Sequence, residues 1–173
     1  MLKSCVSKQR LLFLDMTDKT IYRESAKAVN RGYAAVALFN PKNRDNVGSA
    51  LRAVGCYDAA MLVVQGKRYV RSVLDVNDQW KHTPLIMTEN VMDNIPHGCV
   101  PVAIEFVDTA KSLVDYVHPE RAYYIFGPED GSIPKEVMKL CRDVVYVPTS
   151  LCMNLAATVN VVLYDRLSKM KKK

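Results

Sequence analysis

The sequence predicts an α/β domain: a mostly parallel sheet flanked by helices. Three observations carry this. The chain has 173 residues, 49% of them hydrophobic and 24% charged, which suffices for one sizeable core. Short apolar runs rich in Val, Ile, Tyr and Ala alternate with helix-like stretches. Those runs show little in–out alternation, as strands covered on both faces read.

Residues 1–30 are polar and mixed and read as a short N-terminal extension, with Arg23–Asn30 compatible with a short helix. Residues 31–173 read as a single domain. Its strands are expected at Ala34–Phe39, Ala59–Val64, Pro84–Met87, Val100–Phe106, Ala122–Phe126 and Val144–Val147. Helices are expected at Val47–Cys56, Arg71–Val76, Asn90–Asn94, Thr109–Val117 and Pro134–Cys141, with a last one from about Asn154 to Lys169. That last helix is apolar nearly all round until Asp165, so it must be buried on most sides. A sheet covers one side; a second subunit or the rest of the monomer covers the other.

Several function classes drop out. Apolar runs such as Ala59–Val64 fall far short of the roughly 18–20 residues a membrane helix needs. Near the start, the apolar stretch Leu11–Leu14 stops at Asp15, too short for a secretory signal. The five cysteines are odd in number and scattered, no Cys-x-x-Cys exists, and the three histidines lie far apart. A disulfide scaffold or a metal site is not expected, and a reducing cytoplasm is the natural compartment. A net charge of +6 favours a phosphate-rich partner such as RNA.

In parallel sheets ligands bind beyond the carboxyl ends of the strands. Three of the loops there are unusual. The first runs Asn40 to Asn46 into a helix, with Asp45 or Asn46 as N-cap. That helix has a core stripe of Val47, Leu51 and Val54. A second face carries Arg52 among the small residues Ser49, Ala53 and Cys56, which suggests close approach of a partner subunit or a nucleotide. The plain alternative is a solvated arginine. The second loop is Gly127-Pro128-Glu129-Asp130-Gly131. Its glycine permits close backbone approach, its proline fixes the turn, and Glu129 either caps the helix near Pro134 or binds a donor group. The third loop, Val147 to Met153, leads to Asn154 as N-cap of the last helix.

Together these loops resemble the three motifs of the SpoU-type (TrmH-like) branch of the SPOUT RNA methyltransferases: Asn46…Arg52, Gly127-Pro128-Glu129 and Cys152-Met153-Asn154. All three occur in order at strand–loop–helix junctions, about 80 and 25 residues apart. The resemblance spans roughly residues 34–168. It implies a C-terminal trefoil knot, which no pattern in the residues foretells. It implies a homodimer joined through the last helix, and S-adenosylmethionine held largely by loop backbone. By position the cofactor contacts are Ile104, Glu105 and Phe106; Gly127; and Val147, Pro148, Cys152 and Met153. The implied reaction methylates a ribose 2′-OH of tRNA, with rRNA as the alternative, and needs no metal.

By the same carry-over the catalytic set is Arg52, Asn46, Glu129 and Asn154. Arg52 stands next to the 2′-OH and Asn46 orients it. Glu129 and Asn154 bind substrate or hold the loops. A guanidinium is a poor base, so Arg52 reads as a positioning and phosphate-binding group, with proton removal by Arg52 assisted by a substrate phosphate as the alternative. Cys152 departs from the usual serine, and a thiol is the weaker hydrogen-bond partner. A knotted RNA-binding protein without catalysis is a competing reading. A nucleotide-dependent oxidoreductase is another, but the glycine-rich first turn it needs is missing. Residues 1–30 look too small for an added RNA-binding domain, and the tail Lys169-Met170-Lys171-Lys172-Lys173 either touches phosphates or is a solvated helix end.

Overall fold

A computed structural model describes residues 32–66 and 78–170. Among these residues seven strands form one sheet: β1 (Tyr33–Phe39), β2 (Leu62–Gln65), β3 (Leu85–Thr88), β4 (Val100–Ile104), β5 (Lys111–Ser112), β6 (Arg121–Phe126) and β7 (Asp143–Tyr146). Their order is β3-β2-β1-β6-β4-β7-β5. Every pairing among them is parallel, for instance Leu38 with Phe126 and Ile104 with Phe126. The helices are α1 (Arg44–Cys56), α2 (Lys135–Leu140) and α3 (Leu155–Met170).

Strand β1 shows why the sheet is two-sided. Val36 and Leu38 point to the layer of α1 and α3, whereas Ala35 and Ala37 point to the layer carrying Val91, Ile133 and α2. Strand β6 divides likewise, Tyr124 and Phe126 on the first face and Tyr123 and Ile125 on the second. Each fully buried large side chain contributes about 1.5–3 kcal/mol of transfer free energy. The tyrosine hydroxyls carried inward are all partnered, as buried phenols must be. Tyr123 donates to the Val91 carbonyl at 2.7 Å, and Tyr124 lies 2.6 Å from His118 Nδ1.

The six expected strands all form, within a few residues of their expected ends. The expected helix Thr109–Val117 does not. The segment makes β5, paired with β7 through Lys111–Val145 and Ser112–Tyr146, and then a 3₁₀ turn at Leu113–Asp115. Ser112 caps that turn through Val114 N, which commits the chain to a single short turn. Asn90–Asn94 is likewise a 3₁₀ turn, Val91–Asn94, capped by Asn90. The expected helices Arg23–Asn30 and Arg71–Val76 lie outside the described residues, as does the end of the lysine tail. Among the described residues no helix is long and apolar enough to cross a membrane.

Helix α3 is buried along one stripe through Leu155, Val159, Val162 and Arg166. Its opposite side is open, with Tyr164 62% exposed. Arg166 anchors the stripe by donating to the carbonyls of Pro119 at 2.6 Å and Glu120 at 2.7 Å.

Candidate active site

The loops after β1, β6 and β7 meet at the carboxyl end of the sheet, and one hydrogen-bonded chain joins them. Asn154 donates from Nδ2 to Asn46 Oδ1 at 2.7 Å. Asn46 in turn donates from Nδ2 to Glu129 Oε1. Glu129 also accepts the backbone N–H of Lys42 at 2.8 Å and of Asn43 at 3.2 Å. Its neighbour Asp130 pairs with Lys42 at 3.0 Å. Asn46, Glu129 and Asn154 were expected at one site, and they touch.

Each member is also fixed locally. Asn154 Oδ1 accepts Ala156 N at 2.9 Å and Ala157 N at 3.2 Å, so it is the N-cap expected for the last helix. Asn46 is only 8% exposed, and both ends of its amide are engaged. The cap of α1 differs from the expectation. Asn43, not Asp45 or Asn46, stands at the N-cap, its side chain accepting Asp45 N at 2.8 Å. That leaves the Asn46 side chain free to face the other loops. Glu129 does not cap the helix near Pro134; its donors come from the loop after β1 and the first turn of α1.

Partial burial works to raise the Glu129 pKa. The hydrogen bonds from Lys42, Asn46 and Asn43 outweigh it and hold the carboxyl below its usual range. Glu129 is therefore an ionised acceptor and a poor proton carrier near neutrality.

A cavity of about 370 Å³ adjoins this chain, within the range of small-molecule sites. Seven of the eight residues expected at a cofactor line it; Pro148 instead lines a neighbouring cavity. Glu129 lines it too, while Asn46, Asn154 and Arg52 do not. Arg52 is exposed on α1. Of its expected small-residue face, Ala53 is buried, so the open face is narrower than the sequence suggests.

Glu105 does more than line the cavity. Its Oε2 accepts Ile133 N at 2.9 Å and its Oε1 accepts Phe106 N at 3.1 Å, tying β4 to the segment after Gly131. Gly127 makes room for that carboxylate: a Cβ there would fall 2.8 Å from Glu105 Oε2. Sequence reasoning missed Tyr146, whose ring meets Phe106 edge-on with centroids 5.5 Å apart. Its position as the last residue of β7 was the available signal. Among the described residues no cluster of His, Cys, Asp or Glu is arranged to hold a metal.

The family model described as the SpoU rRNA Methylase family matches residues 33–164. A "Putative tRNA (cytidine(34)-2'-O)-methyltransferase" of Lactococcus lactis subsp. cremoris is 23% identical over 153 residues, covering 79% of this chain and 89% of that protein. A solved structure described as "Structural insights into the 2-OH methylation of C/U34 on tRNA" superposes with a TM-score of 0.69 at 21% identity, covering 83% of this chain and 99% of the other. The SpoU methyltransferase AviRb from Streptomyces viridochromogenes, in complex with AdoMet, gives 0.70 at 19% identity, covering 84% of this chain and 63% of that one.

Proposed function

This chain belongs to the SpoU rRNA methylase family, and on that premise we propose that it transfers a methyl group from S-adenosylmethionine to a ribose 2′-OH of tRNA. The observation that carries the reading is the Asn154–Asn46–Glu129 chain, which converges on the edge of the 370 Å³ cavity. Three loops far apart in sequence are locked there into one surface.

The cavity suits the cofactor chemically. Ile104, Phe126 and Leu155 offer apolar wall for an adenine. Among the described residues lining it the charged ones are Glu105 and Glu129, and two carboxylates favour a sulfonium and an ammonium. The backbone at Gly127 stands bare for close contact. When bound, S-adenosylmethionine supplies the electrophilic methyl group.

The chain's own task is to hold the ribose hydroxyl in line and to let its proton leave. Arg52 is permanently charged and serves as a positioning and phosphate-binding group, not as a base. Its exposure, off the cofactor wall, fits a group that meets the RNA. Glu129 holds the β1 and β6 loops together. Asn46 and Asn154 each keep one amide N–H for substrate once their mutual bonds are counted.

Two relatives with tRNA in their descriptions are matched over 89% and 99% of their lengths, against 63% for AviRb. This supports tRNA, and nucleotide 34 of the anticodon loop is the first position to test. We further infer a trefoil knot in the C-terminal third, a homodimer joined through the open side of α3 beside Tyr164, and action in the cytoplasm. Methyl transfer from labelled S-adenosylmethionine to purified tRNA and to ribosomal RNA tests the reading. Label in tRNA supports it; label confined to ribosomal RNA, or none in either, refutes it.

A further inference from the structure

A second cavity, of about 510 Å³, abuts the cofactor cavity and shares Phe106, Tyr146, Thr149 and Ser150 with it. The aromatic pair is thus a common wall. Tyr146 holds the Phe106 ring edge-to-face, at an interplanar angle of 87°. A perpendicular pair leaves at least one face of the Phe106 ring uncovered by Tyr146, and Phe106 is 77% exposed. A phenyl face presented to water beside a reaction site is a stacking platform without its stack.

The polar lining narrows the occupant. Among the described residues lining this second cavity, Asp108 is the one that is charged. A carboxylate repels phosphate and accepts N–H groups such as the amino and imino groups of a base edge. Thr149 already donates its hydroxyl to the Leu151 carbonyl at 2.8 Å, so it too faces a ligand as an acceptor. Among the described residues, the exposed cations Lys42, Arg44 and Arg52 lie on α1 and the loop before it. An aromatic face and an acceptor edge, with no cation among the described lining residues, fit a nucleobase better than the RNA backbone.

We propose that this second cavity takes an unpaired nucleobase of the RNA substrate, flanking the nucleotide that is methylated. The proposal rests on the methyltransferase reading above. Only an unpaired base can leave its stack to meet such a pocket, so the substrate segment is single-stranded at the site. The base stacks on Phe106 and offers N–H donors to Asp108.

The test uses a tRNA stem-loop that the wild-type protein methylates, with an abasic nucleotide placed on either side of the target. Protein variants are Asp108→Ala and Ala110→Leu, both at residues that line the second cavity alone. Affinity for RNA is measured at saturating S-adenosylmethionine, and affinity for the cofactor by calorimetry. Loss of one stacked base should weaken wild-type RNA binding by roughly 5- to 100-fold. Each protein variant should weaken intact RNA, leave cofactor affinity unchanged, and add little to the loss already caused by the abasic site. Fully additive losses, or weakened cofactor binding with RNA binding intact, overturn the proposal. A wild-type protein that methylates RNA while every variant and abasic substrate binds normally overturns it alone. A wild-type protein that methylates no RNA overturns both readings.

Discussion

Asn154 and Asn46 share a hydrogen bond of 2.7 Å across 108 residues of chain. The bond couples the start of α3 to the start of α1, and Glu129 extends it to the loop after β6. The three residues form one device, so removing the middle one should cost more than a single bond. Asn46→Ala is expected to lower stability by about 1–3 kcal/mol, because Asn46 is buried and both its partners lose a bond. Asn46→Asp should do more harm at neutral pH than Asn46→Ala, since it sets a second carboxylate against an ionised Glu129. Urea unfolding of both variants checks this.

Arg52 is exposed and does not line the cavity. Arg52→Ala should therefore change stability by less than about 0.5 kcal/mol and leave cofactor affinity intact. Single-turnover methylation should fall by about 10²–10⁴-fold, the usual weight of a positioning or acid–base group. Normal methylation by this variant would remove Arg52 from the site.

Cys152 lines the cavity and is exposed as a free thiol. If loop backbone holds the cofactor, Cys152→Ser should leave affinity and turnover unchanged or modestly raised. Loss of activity in calorimetry-competent protein would give the thiol a role of its own.

Gly127→Ala should weaken cofactor binding at least tenfold. The new Cβ would stand 2.8 Å from Glu105 Oε2 and 3.3 Å from Ile133 Cγ1, displacing the carboxylate that ties Ile133 N. Calorimetric titration of S-adenosylmethionine reads this directly.

Stability should decline in two separate steps as pH falls. His118 is buried, and burial holds its pKa below the usual histidine value despite the pull of Asp165. It accepts from Tyr124 through Nδ1 and donates through Nε2 to Asp165, which also pairs with Lys169; Arg166 and Tyr116 complete its surroundings. The unfolded chain takes up this proton first, near pH 6.5. Stability is thus full above about 6.5 and is lost as pH falls through the folded pKa. Glu129 and Asp143, both held below the usual carboxylate range, add a second loss from about pH 4 downward. Urea midpoints from pH 8 to pH 3 should show both steps, and His118→Gln should flatten the first.

The sheet was legible because its strands are apolar on both faces. Val36 and Ala37 serve opposite layers, and the residues say so by being neither alternating nor charged. Strand β5 was not legible. It is two residues, Lys111 and Ser112, held by pairing to β7 and not by any pattern of its own. The sequence does not single out Asn43 as the cap, because three cap-forming residues stand within four positions and only the bond of Asn46 to Glu129 decides between them. The site residues were readable as motifs. Their hydrogen bonds to one another were not, since bonds spanning 83 and 108 residues leave no local trace. The pairing of Phe106 with Tyr146 was hidden for the same reason.

Transfer of methyl to a ribose oxygen leaves a chemical signature in the RNA product. tRNA methylated by the purified protein is digested to nucleosides and to alkali-resistant dinucleotides, and the products are analysed by mass spectrometry. A 2′-O-methylated nucleoside and a phosphodiester that survives alkali at its 3′ side are expected, both formed far more slowly when Arg52→Ala replaces the wild type. A methyl group on a base, with every phosphodiester cleaved by alkali, would contradict transfer to the ribose.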